Sequence, residues 1–135
     1  MKKTFLFLCL ISTFISQTVL ASSAGLEAAM EKGDDAYKKA RSAVSASDKD
    51  TAIKELKEFI RQMEESKKFI PTKITQAPEG QRPALIVAYK EALDKTIETA
   101  TAAVVSVTEG DFAAAKTALR SLNGLKRSGH REFKQ

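Results

Sequence analysis

The sequence predicts an all-α fold, an up-down-up-down antiparallel bundle of four helices, on three observations. The only prolines, Pro71, Pro78 and Pro83, all fall in one stretch, "PTKITQAPEGQRP". On either side of it, apolar residues recur every three or four positions among Ala, Lys, Glu and Leu, with little β-branched alternation. The breaks near Ser47 and at "EGD" are short, so each flanking pair of helices must be joined by a tight turn.

The first helix is expected from Gly25 to Ala46, with Leu26, Met30, Gly33, Tyr37, Ala40 and Val44 on one face. Ser47, followed three residues later by Asp50, resembles a capping box and opens a second helix, whose inner face carries Ile53, Leu56, Ile60, Met63 and Ile70. Pro83 suits the first turn of a third helix, where its missing N–H would have no partner anyway. Ile86, Tyr89, Leu93, Ile97, Ala100, Val104 and Val107 face inward from that helix. Gly110 then ends it and Asp111 caps the fourth, which aligns Phe112, Ala115, Leu119, Leu122 and Phe133. No internal repeat, low-complexity tract or second domain interrupts the pattern.

The N-terminus reads as a secretory signal. Lys2 and Lys3 precede an apolar stretch from Phe5 to about Ile15, and Val19-Leu20-Ala21 ends in the kind of small residue that signal peptidase cuts after. The expected division is a signal peptide over 1–21 and one domain over 22–135. Ser12, Thr13, Ser16 and Gln17 interrupt the apolar stretch, which is short for a membrane span, and Leu8-Cys9 lacks the small residues of a lipoprotein site. Periplasmic export without membrane insertion after cleavage follows. Cys9 leaves with the signal, so the remaining 114 residues hold no cysteine, which excludes disulfide scaffolds, iron–sulfur sites and thioether-attached haem. The net charge falls from +5 to +3, a mild surplus that argues against nucleic acid and fits a monomer with a mixed surface.

Enzyme signatures are missing: there is no second histidine for a zinc site, no Gly-rich phosphate loop and no nucleophile with an evident base. Acidic pairs such as Asp34 and Asp35, or Glu64 and Glu65, read as solvated faces. The expected answer to whether this is an enzyme is no. His130, the one histidine, stands five residues from the end. Met30 lies about five residues inside the first helix and His130 about five inside the end of the fourth, so each sits roughly 7–8 Å from the same end of the bundle. A thioether and an imidazole at equal depth suit the axial positions of haem iron. A methionine on an apolar stripe also serves as core filling, and a histidine near a chain end as a solvated surface residue. Residue type alone leaves both readings open.

"GLEAAMEKGDDAYKKA" resembles the start of the soluble cytochrome b562 family, whose mature chains open with a Leu-Glu-x-x-Met segment, here Leu26, Glu27 and Met30. "EGDFAAAKTALRSLNGLKRSGHREF" resembles that family's last helix without a gap, from Glu109 and Gly110 through Ala115 and Leu122 to His130 and Phe133. The resemblance implies one non-covalent haem b per chain, with Met30 and His130 as axial ligands between the first and last helices. Both iron positions would then be filled by protein, which implies electron transfer with unidentified redox partner proteins. Gly129 stands where the family commonly has an aromatic residue, Gly33 where it has an apolar one, and Leu93 where it has an aromatic lining the pocket.

Several local readings remain paired. Asn123-Gly124 is a turn signal that would leave His130 in a basic tail, whereas the gapless match implies an intact helix. Gly33 and Gly129 would either let the backbone approach the porphyrin or loosen the pocket. Lys126 is either a neighbour of the haem edge or a surface lysine. Tyr37 and Tyr89 either line the pocket or send their hydroxyls to water at the bundle edge. The competing function is a haem-free exported bundle that binds a protein partner or a soft metal such as copper through Met30, Met63 and His130.

Overall fold

The structure is a computed structural model that describes the backbone of residues 14–134 and the side chains of residues 23–134. Lys2, Lys3, Cys9 and most of the apolar stretch of the expected signal lie outside the described residues. Five α-helices and no strand occur among the described residues: α1 (Phe14–Ser45), α2 (Lys49–Ser66), the short α3 (Thr72–Thr75), α4 (Arg82–Glu109) and α5 (Phe112–Phe133), with a 3-10 turn at Glu79–Gln81. The four long helices are the expected ones. The proline stretch that separates the second from the third holds α3 and the 3-10 turn.

Both tight turns are built alike. At the first, Asp48 N–H donates to Ala43 O at 2.9 Å and Ser47 N–H to Val44 O at 3.2 Å, with Ser47 at φ 57°. At the second, Asp111 N–H donates to Ser106 O at 2.8 Å and Gly110 N–H to Val107 O at 3.0 Å, with Gly110 at φ 81°. In each, a left-handed residue closes one helix and the following aspartate caps the next. Asp48 accepts from Thr51 N–H at 3.2 Å, and Asp111 from Ala114 N–H at 2.9 Å.

Three expectations about the elements need correction. Ser47 closes α1 instead of capping α2, since its left-handed backbone cannot serve as an N-cap, and Asp48 takes that role. Ile70 is 37% exposed, because α2 ends at Ser66 and the chain turns away before reaching it. Gly25 does not start α1, whose helix runs upstream to Phe14 through residues free of proline. Gly25 instead marks a close approach, for a Cβ there would lie 2.6 Å from the ring of Phe69.

The core holds Tyr37, Ala40 and Val44 of α1, Leu56, Phe59 and Met63 of α2, Tyr89, Leu93 and Val107 of α4, and Ala115, Leu119, Leu122 and Phe133 of α5. Each buried Leu or Phe contributes about 1.5–3 kcal/mol relative to exposure. Ile74 of α3, 2% exposed, adds a plug from the long connection, and Lys73 Nζ reaches Arg131 O at 3.3 Å. The proline stretch therefore closes the end of the bundle at which α5 finishes. Contact between the helices is uneven. α1 packs extensively on α2, α2 on α4 and α4 on α5, while the seam between α1 and α5 is sparse.

Candidate functional site

The α1–α5 seam is held by few groups. Asp34 of α1 makes an ion pair with Lys126 of α5 and a second with Lys38, one turn further along its own helix, at 2.8 Å. Those cations, Lys126 first, hold the Asp34 carboxyl below its ordinary range. Deeper in the bundle, Tyr37 Oη donates to Leu119 O at 3.0 Å, again from α1 to α5. Desolvation is the main cause of the raised Tyr37 pKa, with Arg41 opposing it.

These two contacts fix the register. Met30 precedes Asp34 by one turn and His130 follows Lys126 by one turn, so in antiparallel helices the same step of about 6 Å outward from the ion pair reaches both. The lateral directions agree as well. On α1, Met30 shares its stripe with Asp34, Tyr37 and Arg41; on α5, His130 shares its stripe with Lys126, Asn123 and Leu119. Asp34, Tyr37 and Arg41 face the seam from one side, and Lys126, Asn123 and Leu119 from the other. Thioether-bearing and imidazole-bearing positions thus stand level on facing stripes.

Met30 is partly buried and packs on the core, whereas His130 lies at the exposed margin of the seam. The surrounding protein still desolvates the imidazole and, with the charges of Lys134 and Lys126, pushes its pKa down against the opposing effect of Asp34. A lowered pKa favours neutral imidazole, the form that binds metal. No atom comes within 4 Å of a Cβ built at Gly129, next to the histidine, so the glycine answers no close approach. Further along the seam lies a cleft of about 270 Å³ lined by Tyr37, Arg41, Lys116, Leu119, Arg120 and Asn123. A sparse seam, bordered by one soft and one imidazole donor at a common level, fits a flat prosthetic group entering between α1 and α5.

Residues 25–134 match the cytochrome b562 family model. The chain belongs to that family. Its members are soluble periplasmic proteins that bind one non-covalent b-type haem and carry electrons. Comparison with curated proteins returned no match. Among the described residues, no helix is long and apolar enough to cross a membrane.

Other candidates resolve differently from the cytochrome b562 pattern. Gly33 does not face the seam: it is buried against α2, where a Cβ would lie 2.7 Å from Met63 Cε. Met63 fills that notch in the core, on a face of α1 separate from the Asp34–Lys126 contact. The tyrosine hydroxyls do not reach for water. Tyr89 Oη donates to Ser66 O at 3.0 Å, as Tyr37 does to Leu119 O, so both tie neighbouring helices together through backbone carbonyls. Asn123-Gly124 does not break α5, which continues to Phe133. Asp34 escaped the sequence reading. Its charge looked like part of a solvated acidic pair, and only the fold brings it to Lys126, 92 residues away.

Proposed function

We propose that the chain is an exported, soluble b-type cytochrome that holds its haem between α1 and α5 through Met30 and His130 and transfers electrons without a substrate of its own. The register set by the Asp34–Lys126 ion pair is the observation that carries this reading, because it makes Met30 and His130 level across the loosest seam of the bundle. Bound haem supplies one-electron chemistry at iron. The chain would do the rest: the Met30 thioether and the His130 imidazole would hold the iron and leave no protein-free position for an exogenous ligand, while the Asp34–Lys126 pair and the Tyr37 hydrogen bond keep the two helices in register below them. Export rests on the basic, apolar and small-residue pattern of residues 1–21, with release to the periplasm after Ala21.

The test is a haemin titration of the purified protein, followed by visible spectra in oxidised and dithionite-reduced forms. One equivalent should give a low-spin spectrum. His130→Ala should abolish six-coordinate binding, and Met30→Ala should leave the iron high-spin. Unchanged spectra in both variants would overturn the axial pair. N-terminal sequencing of protein from the periplasm should begin at Ser22, and an intact Met1 would overturn the cleavage.

A further inference from the structure

The basic residues of α5 are not scattered. At 100° per residue, Lys116, Arg120, Arg127, Arg131 and Lys134 fall within about 60° of one another, in a stripe that runs roughly 22 Å from Lys116 to Arg131. All five are exposed, and none makes a salt bridge among the described residues. On the other helices some exposed bases pair with acids, as Lys38 with Asp34, Arg61 with Glu58, Lys67 with Glu64 and Lys95 with Glu98, and others, such as Lys54 and Lys90, make no salt bridge among the described residues; what sets α5 apart is that five such bases share one stripe. The only acid inside α5, Glu132, falls on another face of the helix, about 130° from the middle of the stripe.

Helix electrostatics explain part of this arrangement only. Cations suit the negative end of the dipole, which accounts for Arg131 and Lys134. Lys116 and Arg120 lie in the first half of α5, where that attraction is absent, and each has a like charge near it along the stripe. Position gives the stripe its meaning. Lys116 and Arg120 form one lip of the α1–α5 cleft, with Arg41 on the opposite lip, and Arg127 and Arg131 flank His130. The unneutralised charge therefore borders the seam assigned above to haem.

We infer that this stripe, with Arg41, is the docking surface for an acidic redox-partner protein, which it steers onto the lip of the α1–α5 seam. This inference rests on the electron-carrier reading. Long-range attraction between complementary faces raises encounter rates and sets orientation, which suits a transient electron-transfer contact. A lipid surface fits less well: the exposed large apolar side chains among the described residues, Ile70, Val87 and Val105, are all on other elements, so the stripe has nothing to insert. Nucleic acid fits less well too, because both aromatic residues of α5, Phe112 and Phe133, pack inward and offer no stacking surface.

The experiment is an amide-shift titration of the 15N-labelled mature protein with an acidic flavodoxin at low salt, with the haemin spectrum recorded on the same samples. Shift changes should centre on Lys116, Arg120, Arg127, Arg131 and the region of Arg41, and should fade as salt rises. Two charge-reversal pairs, Arg127→Glu with Arg131→Glu and Lys116→Glu with Arg120→Glu, should each weaken binding by about tenfold or more. The pair Lys54→Glu with Lys90→Glu, on α2 and α4, should have little effect on it. The second reversal pair keeps the test valid should the first disturb folding. Shift changes elsewhere, equal weakening by the control pair, or anionic phospholipid vesicles or a DNA duplex occupying the stripe while flavodoxin does not bind would each overturn the inference. A protein that docks flavodoxin through the stripe yet takes no haemin would refute the electron-carrier reading and leave the acidic-protein surface standing.

Discussion

Tyr89 shows how much one hydroxyl does in this bundle. It is 3% exposed, donates to Ser66 O of α2 at 3.0 Å, and meets the Phe133 ring of α5 edge-on at 5.4 Å, so one side chain joins three helices. Burial pushes its pKa up to about 12. The folded state thus favours the neutral phenol, and stability that is intact below the unfolded value of about 10 is lost as pH rises through the folded value. Tyr89→Phe should cost about 1 kcal/mol at pH 7 through the lost hydrogen bond. Urea unfolding of both proteins at pH 7 and at pH 11–12 should show the gap closing or reversing; a constant gap would show that the phenol does not ionise with unfolding. Gly33 supports a second expectation. An alanine Cβ would press only on the flexible terminal methyl of Met63, so Gly33→Ala should be close to neutral, with the helix-propensity gain of about 0.5–1 kcal/mol offsetting the contact. Gly33→Leu should destabilise by roughly 1–3 kcal/mol through overpacking, read from the same denaturation curves. At this scale the sequence drew attention to a candidate where residue type is rare, as with the lone histidine. It was silent where meaning comes from a partner distant along the chain, as for Asp34 with Lys126, or from a notch in a facing helix, as for Gly33.

Among the elements, α5 is the one whose continuity matters most, because everything the chain presents at His130 depends on helix beyond Asn123-Gly124. Local preference there favours a turn. Leu119, Leu122 and Phe133, buried on either side of the dipeptide, hold the helix against that preference, as does the Tyr37 hydroxyl on Leu119 O. Gly124 serves no contact, since a Cβ built there meets nothing within 4 Å. Gly124→Ala should therefore stabilise the protein by about 0.5–1 kcal/mol, seen as a higher thermal midpoint. A lower midpoint would mean that the glycine has a conformational role that the helix conceals. The two tight turns show what a sequence can and cannot reveal about elements. "EGD" was readable because glycine is the usual left-handed residue, and Asp111 follows it as a cap. The same device at Ser47-Asp48 was hidden because serine seldom adopts a left-handed backbone, and the cap was displaced by one residue in the reading.

For the whole molecule, the uneven packing of the bundle matters more than any single contact. Three of its four helix–helix seams are extensively packed, and the fourth, α1–α5, is sparse and bridged by an ion pair and one tyrosine hydrogen bond. Helix order and the apolar stripes made the bundle legible. They could not show which seam would be loose, since that depends on small and charged residues such as Lys116, Asn123 and Arg120 facing α1 where larger apolar ones would close the gap. A bundle built this way should open first where it is least packed, so amides in residues 26–37 and 122–133 should exchange with solvent by local separation of α1 from α5. A ligand bridging Met30 and His130 binds only the closed seam. At a free concentration 100 times its Kd it stabilises that state by about 2.7 kcal/mol, equivalent to roughly 100-fold slower exchange. Hydrogen exchange with and without haemin should show this slowing concentrated in those two segments, with smaller changes around the turns at Ser47-Asp48 and Gly110-Asp111, at the opposite end of the bundle. Equal protection at both ends would mean that opening is global and the seam has no separate weakness. Protection confined to α2 and α4 would mean that haem sits elsewhere, and the α1–α5 site would fall with it.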